Sequence, residues 1–248
     1  MVIKKPILIT LIVIFSITFL LSASMLVFTI VDREKAINDF EELAELVKLP
    51  EEQSPTVDQP PIKEEDETNS GSTATTPPQP AKPSITRNIT LLNEMNKDCI
   101  GWVYIKGTKV NYPVMYSPSQ PEKYLKKNFY GEYSGSGVPF VDARCDLESN
   151  NIIIYGHNMK NLTMFGGLRK YLDNNYLKSH SVIEFETLEG LQQYKITKVK
   201  KTDINDDWFT HNLYAKQDGK SYLTLSTCYG SNKNARLLII AEKIITTN

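Results

Sequence analysis

The rhythm of apolar and polar positions changes three times along the chain. From Pro6 to Val31 run 26 residues without a charged side chain. At 1.5 Å of helical rise per residue, about 20 such residues cross a bilayer's hydrocarbon core, so this stretch predicts one transmembrane helix. Residues 32–48 then place Ile37, Phe40, Leu43, Leu46 and Val47 three and four apart, the spacing of a short amphipathic helix. From Pro50 to Pro83 the pattern disappears: the segment holds 8 of the 13 prolines and no aromatic residue. It lacks the apolar surface to fold by itself and reads as a disordered linker over 49–86.

Beyond Arg87 the rhythm turns to short strand-like runs, separated by turn residues. Residues 89–98 read as a helix, with Ile89, Leu92 and Met95 on one face. Strands are predicted at Gly101–Ile105, Val110–Met115, Val138–Val141, Asn151–Tyr155, Ser181–Glu186, Gln193–Lys200, Tyr222–Cys228 and Ala235–Ile245. Helical stretches are expected at Gln120–Asn128, Met164–Asn174 and Asp206–Ala215. Eight short strands with few helices fit a closed or sandwiched mainly β architecture better than a parallel α/β sheet. In Tyr222–Cys228 the alternation turns Leu223 and Leu225 inward, with Ser226 and Cys228 on the other side.

Charge sharpens this division. The whole chain carries a net −1, but residues 49–86 sum to −5 and residues 87–248 to +5. That mild excess is the ordinary charge of a solvated surface. It lacks the clustered Lys/Arg stripe of a nucleic-acid binder, so no nucleic-acid partner is expected. Lys4 and Lys5 precede the apolar run, and mixed charges follow it. The positive-inside bias then leaves residues 1–5 in the cytoplasm and the domain of residues 87–248 outside. Ser22-Ala23-Ser24 is a small-residue triplet of the kind signal peptidases cut. The apolar run continues past it, however, and 6–31 is read as an uncleaved anchor.

Three residues carry the candidate chemistry. His157 follows a buried-type strand through a glycine, in Tyr155-Gly156-His157-Asn158. Cys228 ends another strand, and Arg236 opens the next one eight positions later, so a hairpin brings thiol and guanidinium to one end of the sheet. A thiol near pKa 8.5 needs a neighbouring base to become a nucleophile at neutral pH. Histidine can accept that proton and return it to a leaving amine. Arginine stays charged and can hold a developing oxyanion. Three cysteines in an exported chain leave an odd one, in keeping with a reactive thiol. Sequence alone leaves open whether Cys99 and Cys145 pair; two separate structural thiols are favoured. His180 and His211 sit in polar settings without metal-ligand spacing.

Tyr-Gly-His-Asn at 155–158, Thr-Leu-Ser-Thr-Cys at 224–228 and Arg236 before an apolar final strand resemble a sortase, the membrane-anchored cysteine transpeptidase of Gram-positive surfaces. Gly101-Trp102, Tyr112-Pro113-Val114, Phe140-Val141-Asp142 and Met164-Phe165-Gly166 fit the same pattern, closer to class B than to class A. The resemblance implies an eight-stranded sortase β-barrel over 87–248. It makes Cys228 the nucleophile, His157 the general acid/base and Arg236 the oxyanion or substrate stabiliser, with Ser226, Thr227 and Asn158 lining the substrate groove. It implies cleavage after the threonine of a surface protein's C-terminal sorting signal, through a thioester, and transfer to a peptidoglycan amine. No cofactor or metal is implied. Some class A members bind calcium near the sixth–seventh strand loop, but Asp203, Asp206 and Asp207 are read here as a solvated or helix-capping acidic turn. The alternative from another class is a non-catalytic wall-binding or adhesion module, in which Cys228 only packs.

Overall fold

The computed structural model describes residues 5–49, 86–145, 147–206 and 219–245. Eight strands close into one barrel: β1 (Cys99–Tyr104), β2 (Asn111–Met115), β3 (Phe140–Val141), β4 (Asn151–Tyr155), β5 (Val182–Thr187), β6 (Gly190–Asp203), β7 (Tyr222–Cys228) and β8 (Ala235–Lys243). Around the barrel the order is β1-β2-β3-β4-β7-β8-β6-β5, with β5 pairing back onto β1. Two pairs are parallel, β2 with β3 and β4 with β7. The mainly β expectation is met, in a closed barrel rather than a sandwich.

The parallel β4–β7 pair explains the continuous apolar run Ile152-Ile153-Ile154, since such strands are covered on both faces. It also corrects one expectation. Ser226, placed on the outward face with Cys228, is fully buried, as is Thr224. Thr224 Oγ1 donates to Asn151 Oδ1 at 2.7 Å. Past half-buried Tyr222 the strand is buried as far as Thr227 and becomes exposed at Cys228, its last residue.

The helices are shorter than their patterns implied. Helix α2 covers Ile89–Met95 and ends where the Asn96 N–H turns back to Leu92 O; Met95 is exposed rather than sharing the buried face of Ile89 and Leu92. Within Gln120–Asn128 only a 3-10 turn forms, Lys123–Leu125. Met164–Asn174 resolves into a 3-10 segment, Gly166–Leu172, followed by α3 (Asn174–Ser179), capped by the Asp173 carboxylate. The expected helix at 206–215 lies outside the described residues, apart from Asp206.

The N-terminal region departs furthest from expectation. One uninterrupted helix, α1, runs from Lys5 to Leu46, joining the apolar run to the amphipathic segment. Its C-terminal part lies against the barrel through Ala36, Phe40, Leu43 and Val47, whereas Ile37 and Leu46 stay exposed. The buried residues follow a 4-3-4 spacing, so Ala36 takes the place the pattern assigned to Ile37. Phe40 meets the Tyr112 ring edge-on at 5.0 Å. Past Leu49 the chain is next described at Thr86, back beside the helix end. Lys48 bridges to Arg87, and Asn88 N–H donates to Val47 O at 2.8 Å. Buried Glu186 fixes the return, accepting from the backbone N–H groups of Thr86 and Arg87 and from the Arg87 guanidinium. The described residues on either side of the proline-rich segment therefore lie side by side.

Candidate active site

The barrel brings three strand ends together around a cleft of about 670 Å³, lined among others by His157, Cys228, Arg236, Tyr155, Asp142 and Leu125. All three residues singled out for chemistry share it. Cys228 and Arg236 are direct cross-strand partners at the end of the β7–β8 ladder. The parallel partner strand β4 delivers His157 two residues past its own end at Tyr155. Strand pairing thus brings His157 and Cys228, 71 positions apart, to one cleft with Arg236.

Gly156 makes the histidine turn feasible. A Cβ there would lie 2.6 Å from the Phe165 ring, which is fully buried beneath the turn. The loop then closes on itself: Phe165 N–H donates to His157 O at 3.0 Å, and Asn158 bridges to Met164. Leu162 and Met164 have positive φ, 66° and 50°, a costly conformation for residues with side chains. The Tyr112 hydroxyl, 3.0 Å from Met164 N, holds that conformation in place. Burial pushes the Tyr112 phenol up to about 12, so it remains a neutral hydroxyl at physiological pH.

His157 is half-buried, and its Nε2 lies 2.8 Å from the Leu125 carbonyl. A carbonyl only accepts, so Nε2 carries the proton and the neutral ring keeps its lone pair on Nδ1. Burial lowers the imidazole's pKa, with Lys126 adding repulsion, while the Leu125 contact opposes both. Arg236 is aimed by the backbone, its NH1 donating to Lys233 O at 2.7 Å and Ala235 O at 3.0 Å.

Of the three cysteines, Cys228 alone is exposed. Cys99 is buried, its pKa raised by desolvation to about 12. The Cys99 and Cys145 thiols turn to the carbonyls of Gly101 and Asn151, so no Cys99–Cys145 bridge joins them.

The remaining site expectations divide. Ser226 and Thr227 both border the cleft. Thr227 Oγ1 is committed to Gly156 O at 2.8 Å, whereas the buried Ser226 hydroxyl has no partner among the described residues. Asn158 directs its amide nitrogen at Cys228 O, 2.8 Å away, tying the histidine loop to the cysteine's backbone. In the acidic turn, Asp203 accepts from Asn205 N and Asp206 from Thr202 and Lys200; Asp207 lies outside the described residues.

Sequence reasoning did not find Leu125, which acts through its carbonyl and so leaves no residue-type signature. It noted Asp142 only as part of a motif. On the cleft wall Arg144 grips that carboxylate with two nitrogens, at 2.9 and 2.6 Å, and Tyr155 OH donates to it at 2.7 Å. Burial alone would raise the Asp142 pKa, but these donors bring it below the ordinary aspartate value.

The sequence model of the sortase domain matches residues 103–244, more than half of the chain. The chain therefore belongs to the sortase family of cysteine transpeptidases. It is similar to sortase B of Staphylococcus aureus, 29% identical over 62% of this chain and 73% of that protein. Its similarity to sortase B of Listeria monocytogenes is 40% over a shorter region, 48% of each chain. Among solved structures, the Staphylococcus aureus sortase B–substrate complex superposes with a TM-score of 0.56 at 28% identity, over 64% of this chain and 85% of that one. Clostridium perfringens sortase B gives 0.55 at 26% identity, over 63% and 99%. The class B resemblance read from the motifs is borne out. A non-catalytic module is thereby set aside.

Proposed function

We propose that this enzyme is held in the membrane by residues 6–31, with residues 1–5 cytoplasmic and the barrel outside. There it cleaves surface proteins after the threonine of a C-terminal sorting signal and joins them to a peptidoglycan amine. The observation that carries the proposal is the single cleft in which the one exposed cysteine, Cys228, faces Arg236 across a ladder rung and shares its walls with His157.

In this mechanism the Cys228 proton passes to His157 Nδ1 as Sγ attacks the threonine carbonyl carbon. The guanidinium of Arg236 stabilises the oxyanion of the tetrahedral intermediate, being already charged and oriented before reaction. Collapse breaks the C–N bond, and the departing amine takes the proton from His157. The acyl group is then a thioester on Cys228. An incoming wall amine attacks it, gives up a proton through His157, and leaves as an amide while the thiol re-forms. Ser226 and Thr227 form part of the cleft wall against which the peptide lies, and the Thr227 and Asn158 hydrogen bonds hold that wall in position.

The test is cleavage of a panel of threonine-containing sorting-signal peptides, with and without an amine-bearing wall-peptide fragment. Cleavage after threonine, shifting from acid to amide product when the amine is added, is expected. Cleavage elsewhere, or an acid product unaffected by the amine, would overturn the assignment.

A further inference from the structure

The loop between Lys126 and Ser136 lies along α1 in a definite order. Asn128 Nδ2 donates to Asp39 Oδ2 at 3.1 Å, Lys35 pairs with Glu132 at 2.6 Å, and Gly135 N–H donates to Asp32 Oδ2 at 2.9 Å. Lowest of all, the Tyr133 ring lies 6.3 Å from the ring of Phe28. Phe28 belongs to the uncharged run. A barrel loop thus reaches down to the level of the anchor itself.

The depth of that contact follows from helix geometry. The 26-residue run spans about 39 Å, roughly 9 Å more than the hydrocarbon core. Centred, it extends about 4.5 Å beyond the core at each end, which is three residues. Phe28, three residues before Val31, then marks the boundary between acyl chains and headgroups, the level tyrosine and tryptophan rings prefer. Tyr133 is 61% exposed, so its ring is available to lipid. Tyr130 is also exposed, but it neighbours Asp39 and Glu42, 11 to 14 residues further along the helix and so about 16–21 Å higher, in water.

We propose that this loop is a second membrane contact, with Tyr133 seated at the headgroup–hydrocarbon boundary beside Phe28. The inference rests on residues 6–31 being a membrane anchor, and the test separates the two claims. The contact bears on the cleft. Lys127 bridges to Tyr133, and Leu125, whose carbonyl binds His157, is two residues away, at most about 7 Å of chain. A cleft held this close to the bilayer suits a substrate that is itself still held in lipid.

The full chain is reconstituted in phosphatidylcholine/phosphatidylglycerol nanodiscs whose acyl chains carry bromine. Phe28→Trp, Tyr133→Trp and Tyr130→Trp are compared by the emission each adds to the parent protein's. The added emission at 28 and 133 should fall at least twofold relative to unbrominated lipid, while that at 130 stays unchanged. Quenching at 28 with position 133 as bright as 130 overturns the loop contact and leaves the anchor standing. Absence of quenching at 28 overturns both.

Discussion

Cys228 and Arg236 stand opposite each other on the rung that ends the β7–β8 ladder, so thiol and guanidinium are held together by strand register. The Arg236 backbone contacts to Lys233 and Ala235 pre-aim the charge. Arg236→Ala should lower kcat by about 10²–10³-fold with a smaller change in KM, as for loss of an oxyanion donor. Arg236→Lys should recover little, because a point charge cannot reproduce the fork. Steady-state kinetics decides; a wild-type kcat in the alanine variant removes Arg236 from the chemistry.

His157 should titrate below the ordinary histidine value near 6.5, because burial disfavours its charged form. NMR titration of its ring protons checks this, and a midpoint above 6.5 would contradict it. The linked stability has a definite sign. The unfolded chain protonates first as pH falls, so stability is fully present above about 6.5 and declines between there and the lower folded value.

Asn158 links the histidine loop to Cys228 through one neutral hydrogen bond at 2.8 Å. Asn158→Ala should cost about 2- to 10-fold in kcat/KM, with a matching change in the labelling rate of Cys228. Unchanged labelling alongside lost activity would shift Asn158 from a positioning role to direct contact with substrate.

The helix and the histidine loop are coupled through Phe40, Tyr112 and Met164. Tyr112→Phe removes the hydroxyl that supports Met164 at its positive φ, and kcat should fall several-fold with a stability loss of about 1 kcal/mol. Phe40→Ala should cost about 3 kcal/mol or more, as for other buried aromatic truncations. Thermal denaturation of the detergent-solubilised chain, paired with peptide cleavage, separates the two effects.

The return of the chain at Thr86 depends on buried Glu186. Glu186→Ala should destabilise by about 3 kcal/mol, since it leaves two backbone donors unpaired and Arg87 with only the more distant Glu184 carboxylate, 4.0 Å away. A melting temperature within a degree of the parent's would show that the clamp contributes nothing.

These relationships differ in how far they were legible in the sequence. The strands were, because short strand-like runs bounded by turn residues mark each one locally. His157, Cys228 and Arg236 were, because strand ends and a hairpin spacing place them at one edge. The docking of α1 was not: its pattern showed an apolar face without saying what covers it, and nothing local in Leu49–Thr86 shows that its ends meet. Leu125 was invisible for a different reason, since a backbone carbonyl looks the same under any side chain. The burial of Ser226 was misread because both faces of β7 are covered along Leu223–Thr227, and such a strand loses its alternation.

The central claim is covalent chemistry at Cys228, and trapping the acyl-enzyme tests it most directly. The full chain is incubated with an intact sorting-signal peptide that it cleaves, without acceptor amine, quenched in acid and weighed by intact mass spectrometry. The account predicts an adduct of the acyl fragment's mass that hydroxylamine removes, that maps to the segment carrying Cys228, and that is absent from Cys228→Ala. Cleavage at the wild-type rate by Cys228→Ala, or an adduct on Cys99 or Cys145, would contradict it.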